Sequence, residues 1–175
     1  MKLLIKFACL FFFILIMSNC FNRKEGNINN ILGQKMILPE KLSMISNKSD
    51  EKPTSKEVKI ITFINGDCSF CVDELLLWKT LMNQWKTERV GFLYIIESND
   101  KLITFKNLDS LQIKLNYPYF YDVGNILKKK NNISDEKLHQ TFLLDKSNRV
   151  ILVGNPTKHI GIEKLYTKEI KRLLN

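Results

Sequence analysis

The chain has 175 residues, a formal net charge of +9, a hydrophobic fraction of 45% and 11 Phe, enough apolar material to bury one core. The basic excess is spread along the chain. Its only dense run, Lys128-Lys129-Lys130, reads as a solvated loop without interleaved aromatic residues, which excludes a nucleic-acid surface and favours an acidic membrane surface only weakly. Four cysteines at these spacings do not make a stapled secreted scaffold, and there are no internal repeats.

Lys2 and Lys6 lead into the apolar segment Leu3 to Met17, the layout of an export signal and too short for a membrane span. Cys9 lies inside it, and it exits through Met17-Ser18-Asn19-Cys20. That exit resembles a lipoprotein signal, in which the cysteine is acylated and becomes the new N-terminus. Asn19 departs from the usual small residue. Plain secretory cleavage and an uncleaved anchor helix are the alternatives, and each exports the rest of the chain. The expected division is residues 1–19 as signal peptide, 20–31 as a lipid-anchored flexible tether, and 32–175 as one domain; loss of Lys2 and Lys6 with the signal leaves residues 20–175 a net charge of +7.

The domain reads in the order βαβαββα. A short strand is expected at Met36 to Leu38, stopped by Pro39, followed by a polar loop from Ser46 to Lys56. Val58 to Ile64 is a β-branched run, as expected of a strand buried on both faces. Cys71, Leu75, Trp78, Met82 and Trp85 fall at steps of four and three, one apolar helical stripe. Val90 to Ile96 is a second buried strand. Asn99 or Asp100 caps a helix to about Leu115, with Leu108, Leu111 and Leu115 inward, and Tyr117-Pro118 breaks it. Tyr119 to Tyr121 is a short extended piece. Thr141 to Leu144 and Arg149 to Val153 are strands joined by the turn Asp145-Lys146-Ser147-Asn148. Ile162, Leu165, Tyr166, Ile170, Leu173 and Leu174 line one face of a last helix. This pattern predicts an α/β domain with a mixed sheet and helices on both faces.

The chemistry lies at Asn65-Gly66-Asp67-Cys68-Ser69-Phe70-Cys71, after a strand and at the start of a helix. Two sulfurs three positions apart can close a disulfide and reopen it. A helix N-terminus carries partial positive charge and free N–H groups, which stabilise the thiolate that attacks disulfides. If Cys9 is removed and Cys20 is lipidated, Cys68 and Cys71 are the only thiols left.

The element order and the placement of the CxxC pair resemble the thioredoxin superfamily, and most closely its TlpA-like thiol–disulfide oxidoreductases, many of them exported or membrane-tethered. The likeness covers about Leu32 to Leu174. It is carried by Leu32-Gly33-Gln34-Lys35-Met36, by Ile61 to Cys71, and by Thr141-Phe142-Leu143-Leu144-Asp145 with Arg149-Val150. The resemblance implies a thioredoxin-like fold, with Cys68 as exposed nucleophile and Cys71 as resolving thiol. The cofactor would be the redox-active disulfide itself. The implied partners are protein thiol or disulfide substrates and a membrane or periplasmic electron donor. The implied location is the cell envelope, facing the periplasm.

Four departures from that family mark residues that modulate the site. Asp67 stands where Trp is usual, and a carboxylate there opposes the Cys68 thiolate. Ser69-Phe70 replaces the Gly-Pro of thioredoxin. Thr62 occupies the place of a buried acid that accepts a proton, and Glu74 is expected to face solvent. His139 stands where the family has a cis-proline, so its peptide is expected to be trans. An imidazole facing two sulfurs also opens a metal reading, with Cys68, Cys71 and His139 around Zn²⁺ or Cu⁺. His159 reads as a surface residue before the last helix. Beside the oxidoreductase, two other readings stand: a non-catalytic lipoprotein of the same fold, whose CxxC is a local disulfide, and a metal-binding domain.

Overall fold

A computed structural model describes residues 31–38, 43–44, 52–99, 101–108, 113, 117–134 and 140–175. The expected signal, its Cys9 and Cys20, and the expected tether but for Ile31 lie outside these residues, as do His139, Leu111 and Leu115.

The strands are β1 (Ser43–Met44), β2 (Val58–Asn65), β3 (Val90–Glu97), β4 (Tyr119–Tyr121), β5 (Thr141–Leu144) and β6 (Val150–Val153). The helices are α1 (Ser69–Trp85), α2 (Ile103–Leu108), α3 (Ile126–Lys130) and α4 (Ile160–Leu174). The six strands form one sheet in the order β1-β4-β3-β2-β5-β6. β2, β3 and β4 run parallel, while β1, β5 and their neighbours pair antiparallel. The mixed α/β sheet expected from the sequence is present.

Alternation along β2 and β3 divides the core. Val58, Ile60, Phe92 and Tyr94 point to one face, where Leu75, Trp78 and Trp85 of α1 and Tyr166 and Ile170 of α4 cover them. Trp85 stacks on Tyr166, with ring centroids 5.8 Å apart. Ile61, Phe63, Leu93 and Ile95 point to the other face, beneath Met36 and Leu127 of α3. Helices therefore lie on both faces.

Lys59 interrupts the apolar run of β2 and is buried. Its Nζ escapes the core by donating to the carbonyls of Lys56 at 2.7 Å and Lys146 at 3.4 Å. Burial lowers its pKa, against the opposing pull of the Asp145 charge.

Several expectations are corrected. The N-terminal segment makes a single bridge, Lys35 to Arg149, instead of a strand at Met36 to Leu38. The helix expected to start at Asn99 or Asp100 starts at Ile103, because Lys101 and Leu102 adopt left-handed φ of 58° and 69°. Leu165 is 45% exposed and does not join the buried face of α4. The lysine run lies on α3, and Lys128 is buried with its Nζ 3.0 Å from Glu97. The Asp122 carboxylate accepts the N–H groups of Leu127 and Lys128, which starts that helix where propensity alone gives no signal.

Gly91 lies under the turn at Pro53–Ser55, and a Cβ there would collide with the backbone carbonyl of Pro53. Backbone cannot yield as a flexible side chain does. Gly91→Ala is expected to destabilise the domain by about 1–3 kcal/mol, read as a lower urea midpoint. An unchanged midpoint would contradict the close approach.

Candidate functional site

The loop before α1 is built by three residues. Asn65 Oδ1 accepts the Asp67 N–H at 2.9 Å, and the Cys68 N–H reaches the Asn65 carbonyl at 3.3 Å. Gly66 donates its N–H to the Glu97 carbonyl at 2.7 Å. A Cβ at Gly66 would lie 2.7 Å from Ile96 Cγ2 and 3.2 Å from Phe105 Cβ, so the loop can fold over the end of β3 only with glycine there.

This turn delivers Cys68 to the N-cap of α1 in an extended conformation. Its Sγ accepts the Cys71 N–H at 3.3 Å, and its carbonyl accepts the Val72 N–H at 3.0 Å. Cys68 and Cys71 form a disulfide, with Cα atoms 5.2 Å apart. α1 begins between the two cysteines, at Ser69, so Ser69 and Phe70 form its first turn. Both are exposed, Phe70 to 85%, an aromatic ring held beside the disulfide.

The Asp67 carboxylate binds the loop after β3. Its Oδ1 accepts the Ser98 hydroxyl and its Oδ2 the Asn99 N–H, both at 2.7 Å. Thr62 is buried, with its hydroxyl 2.9 Å from that of Thr141. That threonine pair fills the place where an acid was sought. His139 lies outside the described residues, but Gln140 beside it borders the disulfide. Among the described residues no peptide is cis and no group of three candidate ligands could hold a metal ion.

An open cleft of about 520 Å³ runs along the disulfide. Phe63, Ile64 and Asn65 end β2 on one side, and Cys68, Phe70, Cys71 and Glu74 of α1 form the next. Gln140 and Thr141 close a third side, and Asn155, Lys158 and His159 the fourth. Glu74 corrects the sequence expectation, since it faces this cleft instead of open solvent. Its carboxylate accepts Asn155 Nδ2, Thr157 Oγ1 at 2.9 Å, and Lys158 Nζ at 2.8 Å. Burial pushes the Glu74 carboxyl up, but the hydrogen bonds from Lys158, Asn155 and Thr157 together outweigh it and hold the pKa below its ordinary value.

Sequence reasoning missed Glu74, Asn155, Thr157 and Lys158 as one group, and missed that exposed His159 returns to the cleft. The available signal was topological. β6 runs parallel to β2 through two antiparallel pairings, so the loop after β6 opens at the same end as the CxxC turn.

The lowered Glu74 pKa has a pH consequence. A depressed folded pKa contributes stability that is present above the unfolded value near 4.5 and is lost as pH falls through the folded pKa. Between about pH 6 and about pH 3, Glu74→Gln is expected to lose less stability than the native chain. Denaturant midpoints across that range test this, and identical slopes would contradict it.

No family model matches the chain, and no curated protein matches it. Solved structures do. A thioredoxin-like protein from Porphyromonas gingivalis is 20% identical with a TM-score of 0.53, over 80% of this chain and 93% of that one. A "putative protein disulfide isomerase" from Bacteroides thetaiotaomicron is 15% identical with a TM-score of 0.58, over 82% and 91%. A thioredoxin-like protein in its oxidised form is 13% identical with a TM-score of 0.58, over 79% and 97%. The chain has a thioredoxin-like fold, with a CxxC disulfide at the N-cap of its first long helix.

Proposed function

We propose that the protein is a thiol–disulfide oxidoreductase of TlpA-like type, exported and held at a membrane by a lipid on Cys20. The observation that carries the redox reading is the Cys68–Cys71 disulfide at the N-cap of α1, open to a cleft, with Cys68 Sγ accepting a helical N–H. That geometry suits a sulfur that alternates between disulfide and thiolate.

In the reduced protein, Cys68 loses its proton and its thiolate attacks one sulfur of a substrate disulfide. The substrate S–S bond breaks, a mixed disulfide with Cys68 forms, and one substrate sulfur leaves as thiolate. Cys71 then deprotonates and attacks Cys68 Sγ. The mixed disulfide breaks, the second substrate sulfur leaves, and the Cys68–Cys71 bond closes. The substrate gains two electrons and two protons, and the cysteine pair loses them. A dithiol donor must reduce the pair for another cycle. With the pair oxidised and a dithiol partner, the same steps run in reverse, and the partner leaves as a disulfide.

Cys71 is the first residue of the buried side of α1 and sits against the core, while Cys68 ends the loop. Attack by substrate is therefore assigned to Cys68. Phe70 offers apolar contact to a polypeptide lying over the disulfide, and Asn65 and Gln140 bring polar atoms to the cleft wall around it. Protein substrates suit a cleft that is open and mixed in character.

Cys71→Ser is expected to accumulate mixed disulfides through Cys68, and Cys68→Ser to accumulate none. The reduction potential of the native pair is expected above about −300 mV, the level below which structural disulfides lie. A lower potential together with no trapped partner would support the static-disulfide reading.

The Cys20 anchor is tested separately. Mass spectrometry of the membrane fraction is expected to find a mature chain starting at acylated Cys20. An unmodified N-terminus downstream of Cys20 would remove the lipid anchor from the proposal and leave the redox chemistry untouched.

A further inference from the structure

The end of the sheet opposite the disulfide gathers basic side chains. β2 runs from Val58 to Asn65, three residues before Cys68, so the strand alone separates its two ends by roughly 23 Å. At the Val58 end, buried Lys59 donates to the carbonyls of Lys56 and Lys146 and draws the segment before β2 against the β5–β6 turn. Lys35 pairs directly opposite Arg149, and Arg149 Nη1 donates to the Gly33 carbonyl at 3.2 Å. Lys35, Lys52, Lys146 and Arg149 are exposed, and Lys56 is half-buried beside them.

Among the described residues, countercharge at this end is limited to Glu57, Glu88 and Asp145. Glu57 is held by Arg89 through two hydrogen bonds of 2.7 and 2.8 Å. Glu88 has Lys86 two positions away on the neighbouring loop. Asp145 accepts the backbone N–H groups of Ser147 and Arg149, and among the described residues it and Glu57, which also lies in the field of Lys146, are the carboxylates nearest the four exposed cations. Like charges facing each other across a strand pair are unfavourable, and Lys35 opposite Arg149 is such a pair. An anionic plane laid against this end relieves that repulsion.

We propose that this pole is a docking surface for anionic lipid headgroups, which lays the domain on the bilayer with the disulfide pointing away from it. The proposal rests in part on the tether reading. Ten residues lie between Cys20 and Ile31, a reach of at most about 36 Å. The segment they lead into joins the domain at this same pole, through Gly33 to Val150 and Met36 to Asn148 hydrogen bonds. A lipid on Cys20 would thus keep these cations, before the cleft, on the side of the domain toward the headgroups, where charge attraction can draw them down. Each cation at an anionic surface adds roughly fivefold to association. A nucleic-acid backbone presents similar charge, but nothing ties it to the place where the tether enters.

The test uses the full chain on vesicles of phosphatidylcholine alone or mixed with phosphatidylglycerol. Lysines are labelled with an amine-reactive reagent, and each site is read by mass spectrometry. On the mixed vesicles Lys35, Lys52 and Lys146 are expected to label several-fold more slowly than on phosphatidylcholine, and the difference is expected to vanish in high salt. Lys101 and Lys164, toward the disulfide end, are expected to label equally on both. The double substitution Lys35→Glu with Lys146→Glu is expected to abolish protection at Lys52. Equal labelling of the pole on the two vesicle types would overturn the proposal. So would equal protection by duplex DNA at matched charge concentration. If the chain does not associate with phosphatidylcholine but the pole is still protected on mixed vesicles, the tether reading fails and the docking surface stands.

Discussion

The site depends on one atom doing two jobs. Cys68 Sγ is one half of the disulfide and is also the acceptor that caps α1. A helix leaves its first four N–H groups without intrahelical partners, and here the sulfur and the carbonyl of Cys68 share one of them, that of Cys71. The cap becomes stronger when that sulfur is anionic, because hydrogen bonds to ions are roughly twice as strong as neutral ones. The folded helix therefore favours the thiolate, and the thiolate favours the folded helix end. Neither holds unless the loop before it is fixed. Gly66 fixes it against β3, and Asp67 fixes it against Ser98 and Asn99.

The second constraint acts across the cleft. Glu74 joins α1 to the loop that precedes α4 through Asn155, Thr157 and Lys158. An exposed ion pair of this kind would be worth little. Glu74 differs because its side chain is largely buried and three donors converge on it. The tie also decides the electrostatics near the disulfide. A lone carboxylate facing the cleft would oppose a second negative charge on sulfur. Lys158 supplies the compensating charge, so the wall stays close to neutral while the helix terminus acts on Cys68.

The alternation of strands and helices was legible because it rests on local periodicity. Val58 to Ile64 and Val90 to Ile96 are too β-branched and too apolar for anything but buried strands, and the α1 stripe fell where its spacing placed it. The cysteine pair was legible for the same reason, since strand, turn and helix are contiguous there. What failed was what depends on distant partners. Lys128 looked solvated because Glu97 is 31 positions away, and Glu74 looked solvated because its donors lie more than 80 positions away. The start of α2 failed for a different cause, two left-handed residues that no glycine announces. Asp67 shows the same limit in its chemistry. Its charge beside Cys68 was legible, while its engagement with Ser98 and Asn99 was not, and that engagement makes it a tie for the loop as well as a charge near the sulfur.

Parallel pairing of β2, β3 and β4 gives the domain two unlike ends. Loops after the strands meet at one end, where helix N-termini and side chains from four segments converge on the disulfide. Loops before the strands meet at the other, together with the β5–β6 turn and the N-terminal segment. A thiol–disulfide exchanger of the proposed kind gains from an open, nearly neutral end. The cations are better placed where they do not perturb thiol titration, more than two Debye lengths away in physiological salt. Lys59 links the two requirements. It stands in the strand that leads to the cysteines, yet its charge leaves the core at the basic end, where backbone carbonyls from two turns receive it. An apolar residue there would bury as well, but it would not hold those two turns together.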